Sequence, residues 1–129
     1  MPLLSTLAAS SATTFFRDKA LTNAAVVADA NSGSIRMLDC DNTANSGATT
    51  FFKIYNLAAA SVVFHASTAG SSTNPYIQIP APAGKRIVVT VDSTDVTLAT
   101  AISCAAITTG GTLGTGAPSS VVGVRMLLS

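Results

Sequence analysis

The residues that could do chemistry in this 129-residue chain are few and lie far apart in the sequence. His65 is the only histidine, and no carboxylate lies near it in the sequence to orient it as a catalytic base. A nucleophile and an acid would both have to reach His65 from distant segments, so we interpret it as a strand or interface histidine. The sequence predicts no enzyme and no small-molecule substrate, and a hydrolase built on His65 is the discounted alternative.

The acidic residues form pairs that fall short of a metal site. Asp39 and Asp41 alternate along one strand face, and Asp92 and Asp95 share a turn. Ca²⁺ takes six to eight oxygen ligands, and neither pair lies in a loop that supplies them. Capping of Asx turns is the role we predict for these side chains.

Cys40 and Cys104 cannot build a zinc site with one histidine within a single chain, although a site on a symmetry axis stays open. The N-terminus has no basic region typical of a signal peptide, so we expect synthesis in a reducing cytoplasm. Both cysteines are therefore expected to be free, buried and apolar in character, with a disulfide as the alternative. The sequence predicts no cofactor and no metal.

A glycine-rich stretch at residues 110–116 lacks a lysine and a following helix signal, so it is not a phosphate loop. We interpret it as a contact loop on the surface. Its candidate interface residues are Gly110, Gly111, Leu113 and Gly114.

Charge is scarce: charged residues make up 10% of the chain, against about 25% in an average protein, and the net charge is +1. The surface must then be rich in Ser, Thr, Ala and Val, which favours cover by neighbouring subunits over a solvated monomer. We expect a homo-oligomer, a homotrimer rather than a homodimer. Nothing in this charge attracts nucleic acid or a membrane surface, and no apolar run reaches the ~20 residues of a membrane span.

Short β-branched runs separated by turn residues predict a single all-β domain over residues 1–129, a jelly-roll-like β-sandwich of eight to nine strands. Residues 80–84 are predicted to be a turn. The predicted strands cover residues 13–16, 25–28, 34–40, 49–55, 62–66, 76–79, 86–91, 102–108 and 121–128.

The N-terminal residues 1–14 are either a first strand or an extended arm that reaches a neighbouring subunit. Leu3, Leu4, Phe15 and Phe16 are the candidate contacts there. The sequence ATTFFR at residues 12–17 is echoed by ATTFFK at residues 48–53. Six positions do not make a repeat, and both segments read as a strand that ends in a basic residue.

Four motifs lie in the last 80 residues: FFKIYNLA at 51–58, PYIQIPAPAG at 75–84, ATAIS with ITTG between 99 and 110, and VGVRMLL at 122–128. They resemble strands and a hairpin of small virion proteins of tailed bacteriophages. The chain departs from that pattern at Ala101, where the pattern has Gly. It also lacks the acidic residue after Gly110 and a terminal aromatic residue.

The resemblance implies a structural protein of the virion but not which one, because such motifs report a fold rather than a role. We predict a capsid decoration or cement protein that bridges subunits of the major capsid protein on the capsid surface, after synthesis in the host cytoplasm. The alternative is a tail, neck or fibre component that recognises a host-surface glycan. Aromatics make up only 5% of the chain and Trp is absent, which disfavours the glycan platform.

Overall fold

Alternating apolar and polar side chains build two antiparallel β-sheets that pack face to face. The computed structural model describes residues 14–65, 72–91 and 96–129. Within these ranges the strands are β1 (Thr14–Leu21), β2 (Val26–Asp29), β3 (Gly33–Asp41), β4 (Thr50–Tyr55), β5 (Ile77–Ala81), β6 (Arg86–Thr90), β7 (Thr97–Leu98), β8 (Ile102–Ile107) and β9 (Val122–Leu128), with one 3₁₀ turn at Ala59–Ser61.

The first sheet has the order β1-β9-β3-β6, with the short β7 paired to the start of β3. The second sheet has the order β2-β8-β4-β5. This architecture confirms the predicted all-β sandwich of about nine strands. The finer jelly-roll assignment stays a prediction.

The core lies between the sheets and takes every second side chain. In β9 the buried positions are Val122, Val124, Met126 and Leu128, and the residues between them are partly exposed, as the sequence predicted. Phe52 and Ile54 of β4 meet this set from the second sheet. Full burial of these apolar side chains is the main favourable contribution to folding.

Both cysteines belong to this core, and both are free and fully buried. Burial, with the nearby Asp39 carboxylate, raises the pKa of Cys40 to about 12. Burial also raises the pKa of Cys104. The thiols therefore stay protonated near neutral pH and act as small apolar side chains, which agrees with the prediction.

The strand prediction failed at four places, one of which is the short strand β7 (Thr97–Leu98), which was not predicted. Residues 62–65 are irregular rather than a strand: among the described residues Val63 exchanges hydrogen bonds with Thr73 alone, and the Phe64 ring packs edge-on against Tyr55, with ring centroids 5.9 Å apart. Residues 80–81, predicted as a turn, continue β5, where Pro80 is tolerated because β5 is an edge strand. β1 continues through a charged stretch to Leu21 with an irregular register.

The predicted strand at 13–16 is confirmed over residues 14–16, which begin β1. The arm at residues 1–14 falls almost wholly outside the described residues, and Leu3, Leu4 and residue 66 lie outside them too. The turn at Asp92 and Asp95 also lies outside them.

The buried side-chain amide of Asn42 connects three segments of the chain at one end of the sandwich. Asn42 is fully buried, and its Nδ2 donates to the carbonyl oxygens of Ala48, Ala81 and Pro82 at 3.0, 2.9 and 3.1 Å. Its Oδ1 accepts from the Thr50 hydroxyl at 2.8 Å. The side chain thus links the turn after β3 to the start of β4 and the end of β5.

We expect Asn42→Asp to lower the free energy of unfolding by about 3–5 kcal/mol, because a carboxylate would face three carbonyl oxygens and lose their hydrogen bonds. Urea unfolding measures the loss. The matched control is Asn31→Asp at an exposed turn, which should change stability by less than about 0.5 kcal/mol. Equal effects of the two substitutions would contradict this role of Asn42.

Candidate interaction surface

The two sheets differ in what covers their outer faces. In the second sheet all six residues of β8 are buried, so this sheet has cover on both sides. Its outer cover consists of residues 56–65 and 108–116, hereafter the cover. The Ser103 hydroxyl of β8 donates to Leu57 O at 2.8 Å, and Gly114 N donates to His65 O at 2.9 Å, which ties the two parts of the cover together.

The glycines of the cover permit its close approach to the sheet. A Cβ added to Gly110 would lie 2.9 Å from Cε1 of Phe51. Gly114 has a φ of 112°, and a Cβ there would lie 2.6 Å from Thr109 Cβ. Larger residues at either position would therefore lift the cover from the sheet.

The first sheet presents its outer side to solvent over much of its area. We call this side, formed by alternate residues of β1, β9, β3 and β6, the exposed face. Its first cross-strand row joins Phe15, Leu127, Met37 and Thr90. Phe15 is 57% exposed, so the row is an apolar strip with one large aromatic side chain in water.

The second row of the exposed face is mainly ionic. It joins Arg17, Arg125, Asp39 and Val88, and Val88 is 54% exposed. The strip of the first row and the charges of the second lie side by side, so the face is amphipathic along the strands.

A shared carboxylate organises the ionic row. Asp39 is only 5% exposed and accepts Arg86 Nε on Oδ1 at 2.7 Å, while Arg86 Nη2 donates to Oδ2. Arg125 Nη2 donates to the same Oδ2 at 2.5 Å. Bidentate pairing of this kind fixes guanidinium orientation, so β6, β3 and β9 hold two arginines in place around one acid.

These side chains line a shallow depression of about 440 Å³, together with Arg17, Lys19 and Asp41. Four cations and two carboxylates give the depression a formal charge of +2, whereas the whole chain carries +1. The positive charge of the described surface is therefore concentrated on one face.

The candidate interface residues separate into two groups. Phe15 lies on the exposed face, while Phe16 points inward and packs against the core. Gly110, Gly111, Leu113 and Gly114 belong to the cover, where the Leu113 carbonyl accepts from Lys53 of the sheet and the Gly114 amide donates to His65 O within the cover. Their role as contacts with other subunits stays a prediction.

The residues considered for chemistry are held in structural roles. The carboxylate of Asp41 accepts the Thr43 amide at 3.0 Å and its hydroxyl at 2.6 Å, an Asx turn as predicted. The same prediction is wrong for Asp39, whose carboxylate pairs with Arg86 and Arg125. Within residues 14–65, 72–91 and 96–129, no three His, Cys or carboxylate side chains gather into a metal site. The sequence did not predict that Arg86 and Arg125 share Asp39, since they lie 47 and 86 positions from it along the chain.

The buried lysine of β4 was also missed. Lys53 is fully buried beneath the cover, and its Nζ donates to Leu113 O at 3.0 Å. Burial lowers the pKa of Lys53, and no carboxylate of the described chain forms an ion pair with it. The hydroxyl of Tyr55, two positions along the same face, is buried without a hydrogen-bond partner. The face beneath the cover thus buries a cation without a counter-ion and a hydroxyl without a hydrogen bond, and both lower the stability of the fold.

No family model matches the chain, and neither a curated protein nor a solved structure shows significant similarity to it. In the part of the chain that the structure describes, no helix has the length and apolar character needed to cross a membrane.

We expect Lys53→Met to raise the free energy of unfolding near neutral pH by about 1–2 kcal/mol, because it removes a buried cation that has no counter-ion. The folded-state pKa of Lys53 lies below its unfolded value, so the penalty shrinks as pH rises through the folded pKa towards about 10.5. The advantage of the variant should therefore fall with rising pH.

Urea unfolding of both proteins between pH 7 and pH 10 measures this difference. Lys85→Met, at an exposed position, is the control and should leave stability nearly unchanged. A Lys53→Met protein less stable than the parent at pH 7 would show that the ammonium is stabilised in the fold.

Proposed function

We propose that this chain is a capsid decoration or cement protein of a tailed bacteriophage, which docks on the major capsid protein and bridges its subunits. The sequence motifs quoted above support the phage assignment. The order of the two sheets, with first strand beside last and second beside next to last, supports the jelly-roll-like form of the fold.

The observation that carries the docking role is the difference between the two outer faces. The chain covers its second sheet with its own residues, yet it leaves Phe15 and Val88 more than half exposed on the first sheet beside a cluster of arginines. Exposed apolar area rimmed by charge is typical of surfaces that bind other proteins. The exposed face is thus the surface we assign to the capsid.

Docking of this kind stabilises a shell by burying apolar area across seams between subunits, at about 25 cal/mol per Å² before ordering costs. A homotrimer would multiply the contact, because three linked copies bind with a higher effective affinity than one. In this proposal the N-terminal residues Leu3 and Leu4 reach a neighbouring subunit. The protein is made in the host cytoplasm and resides on the virion surface.

The second candidate function is a tail, neck or fibre component that binds an acidic glycan of the host surface. The cationic depression favours it, since guanidinium groups recognise carboxylate or sulfate groups in pairs of hydrogen bonds. The apolar strip next to the depression has no purpose in that reading, which is why we place it second.

Mass spectrometry of purified virions distinguishes the two functions. We expect the ratio of this chain to the major capsid protein to lie near one, or at a simple fraction set by shell symmetry. A handful of copies per virion would contradict the decoration role and favour the tail, neck or fibre role.

A further inference from the structure

We propose that the depression on the exposed face binds a carboxylate-bearing, partly apolar segment of a partner protein, with Arg17 and Lys19 as the cations that select it. This inference deepens the proposed function and rests on it for the partner's identity. The chemistry of the segment is argued from the face alone.

The first argument is an imbalance of charge between neighbouring strands. Arg17 of β1 lies directly across from Arg125 of β9. Like charges in that position destabilise a sheet. The one acid of the row, Asp39, is already shared by Arg86 and Arg125 and is nearly buried.

The second argument is the state of the other cations. Within the described part of the chain, neither Arg17 nor Lys19 has an ion-pair partner, and both side chains are exposed. The next acid of the depression, Asp41, accepts hydrogen bonds from Thr43. The two cations of β1 are therefore not neutralised within the described chain, and an anionic group of a partner would pair with them.

The third argument is the number of hydrogen-bond donors that remain. A guanidinium has five N–H groups in a fixed fork. Arg86 uses two of its nitrogens on Asp39 and Arg125 uses one, which leaves N–H groups on both free for an added carboxylate. Because Asp39 holds these forks in place, little side-chain entropy is lost when they bind.

The fourth argument separates a protein segment from other anions. The apolar strip of Phe15, Leu127 and Met37 adjoins the charged row, so the occupant must bury apolar groups next to its carboxylates. The depression has four cations, fewer than a protein that contacts about 6–10 phosphates would need, and two of the four already pair with Asp39. Carboxylates spaced by apolar residues fit both features.

The edge position of β1 suggests how such a segment lies. Among the described residues β1 pairs with β9 alone, so its outer backbone groups can pair with an added strand. An extended segment with alternating acidic and apolar residues would then place its carboxylates towards Arg17 and Lys19.

The test uses the full chain and a fluorescent peptide of alternating Glu and Val as the probe, followed by anisotropy at low salt. A peptide of alternating Gln and Val is the neutral match. We expect Arg17→Gln and Lys19→Gln each to weaken binding about threefold to tenfold, and added salt to weaken it further. Lys85→Gln removes the same charge outside the depression and should change binding by less than about twofold.

Thermal unfolding is the second readout, and it separates a binding role of Arg17 from a structural one. Arg17→Gln should leave the melting temperature unchanged or slightly raised, because it relieves the repulsion with Arg125. Lost peptide binding with an intact melting temperature supports the inference.

Three outcomes would overturn it: equal loss with Lys85→Gln and Arg17→Gln, equal affinity for the Gln and Val peptide, or an Arg17-dependent affinity for heparin that exceeds the affinity for the Glu and Val peptide. The heparin result would favour the glycan function instead. The peptide result is independent of the copy number in virions, so a failure of this inference and a failure of the capsid role are distinguishable.

Discussion

A strand buried on both faces needs cover on both faces, and β8 sets this requirement for the second sheet. The chain meets it with residues 56–65 and 108–116, which fold back over β4 and β8 and are held by contacts such as Ser103 with Leu57 and Lys53 with Leu113. These two segments of the described chain lie over the second sheet. The first sheet keeps an outer face with Phe15 and Val88 in water. Exposed apolar area of this kind is typical of surfaces that bind other proteins, and this supports the docking role that we propose.

A single acid, Asp39, sets the positions of the arginine side chains on the exposed face. Asp39 lies almost out of solvent and fixes Arg86 and Arg125 from the strands on either side of it. Such a pair on a partly exposed surface adds little to stability, because solvent screens it and its members lose side-chain freedom. Its value is geometric: the arginines present their remaining donors at fixed positions next to an apolar strip. Rigid donors beside apolar area are features of surfaces that bind proteins with specificity.

Much of the fold follows from local pattern, and most of the site does not. The alternation in β9 and the β-branched run of β6 are visible in the sequence, so strand positions and inward faces could be predicted. Phe64 belongs to a similar run but lies in an irregular segment, where its ring packs edge-on against Tyr55. The similar segments 12–17 and 48–53 show what local sequence pattern could not predict. Both end in a basic residue, yet Arg17 is exposed on an edge strand and Lys53 is buried beneath the cover. Only sheet order decides between these outcomes, and sheet order depends on contacts between distant parts of the chain.

The central claim is that the exposed face of the first sheet is the docking surface, and hydroxyl-radical footprinting tests it most directly. Oxidation of the free protein is compared with oxidation of the same chain on purified particles. Our account predicts strong protection of Phe15 and Met37 on the particle, while Tyr76, 50% exposed just before β5 of the second sheet, reacts equally in both states. Unchanged oxidation of Phe15 and Met37, with protection confined to Tyr76 or the cover, would contradict it.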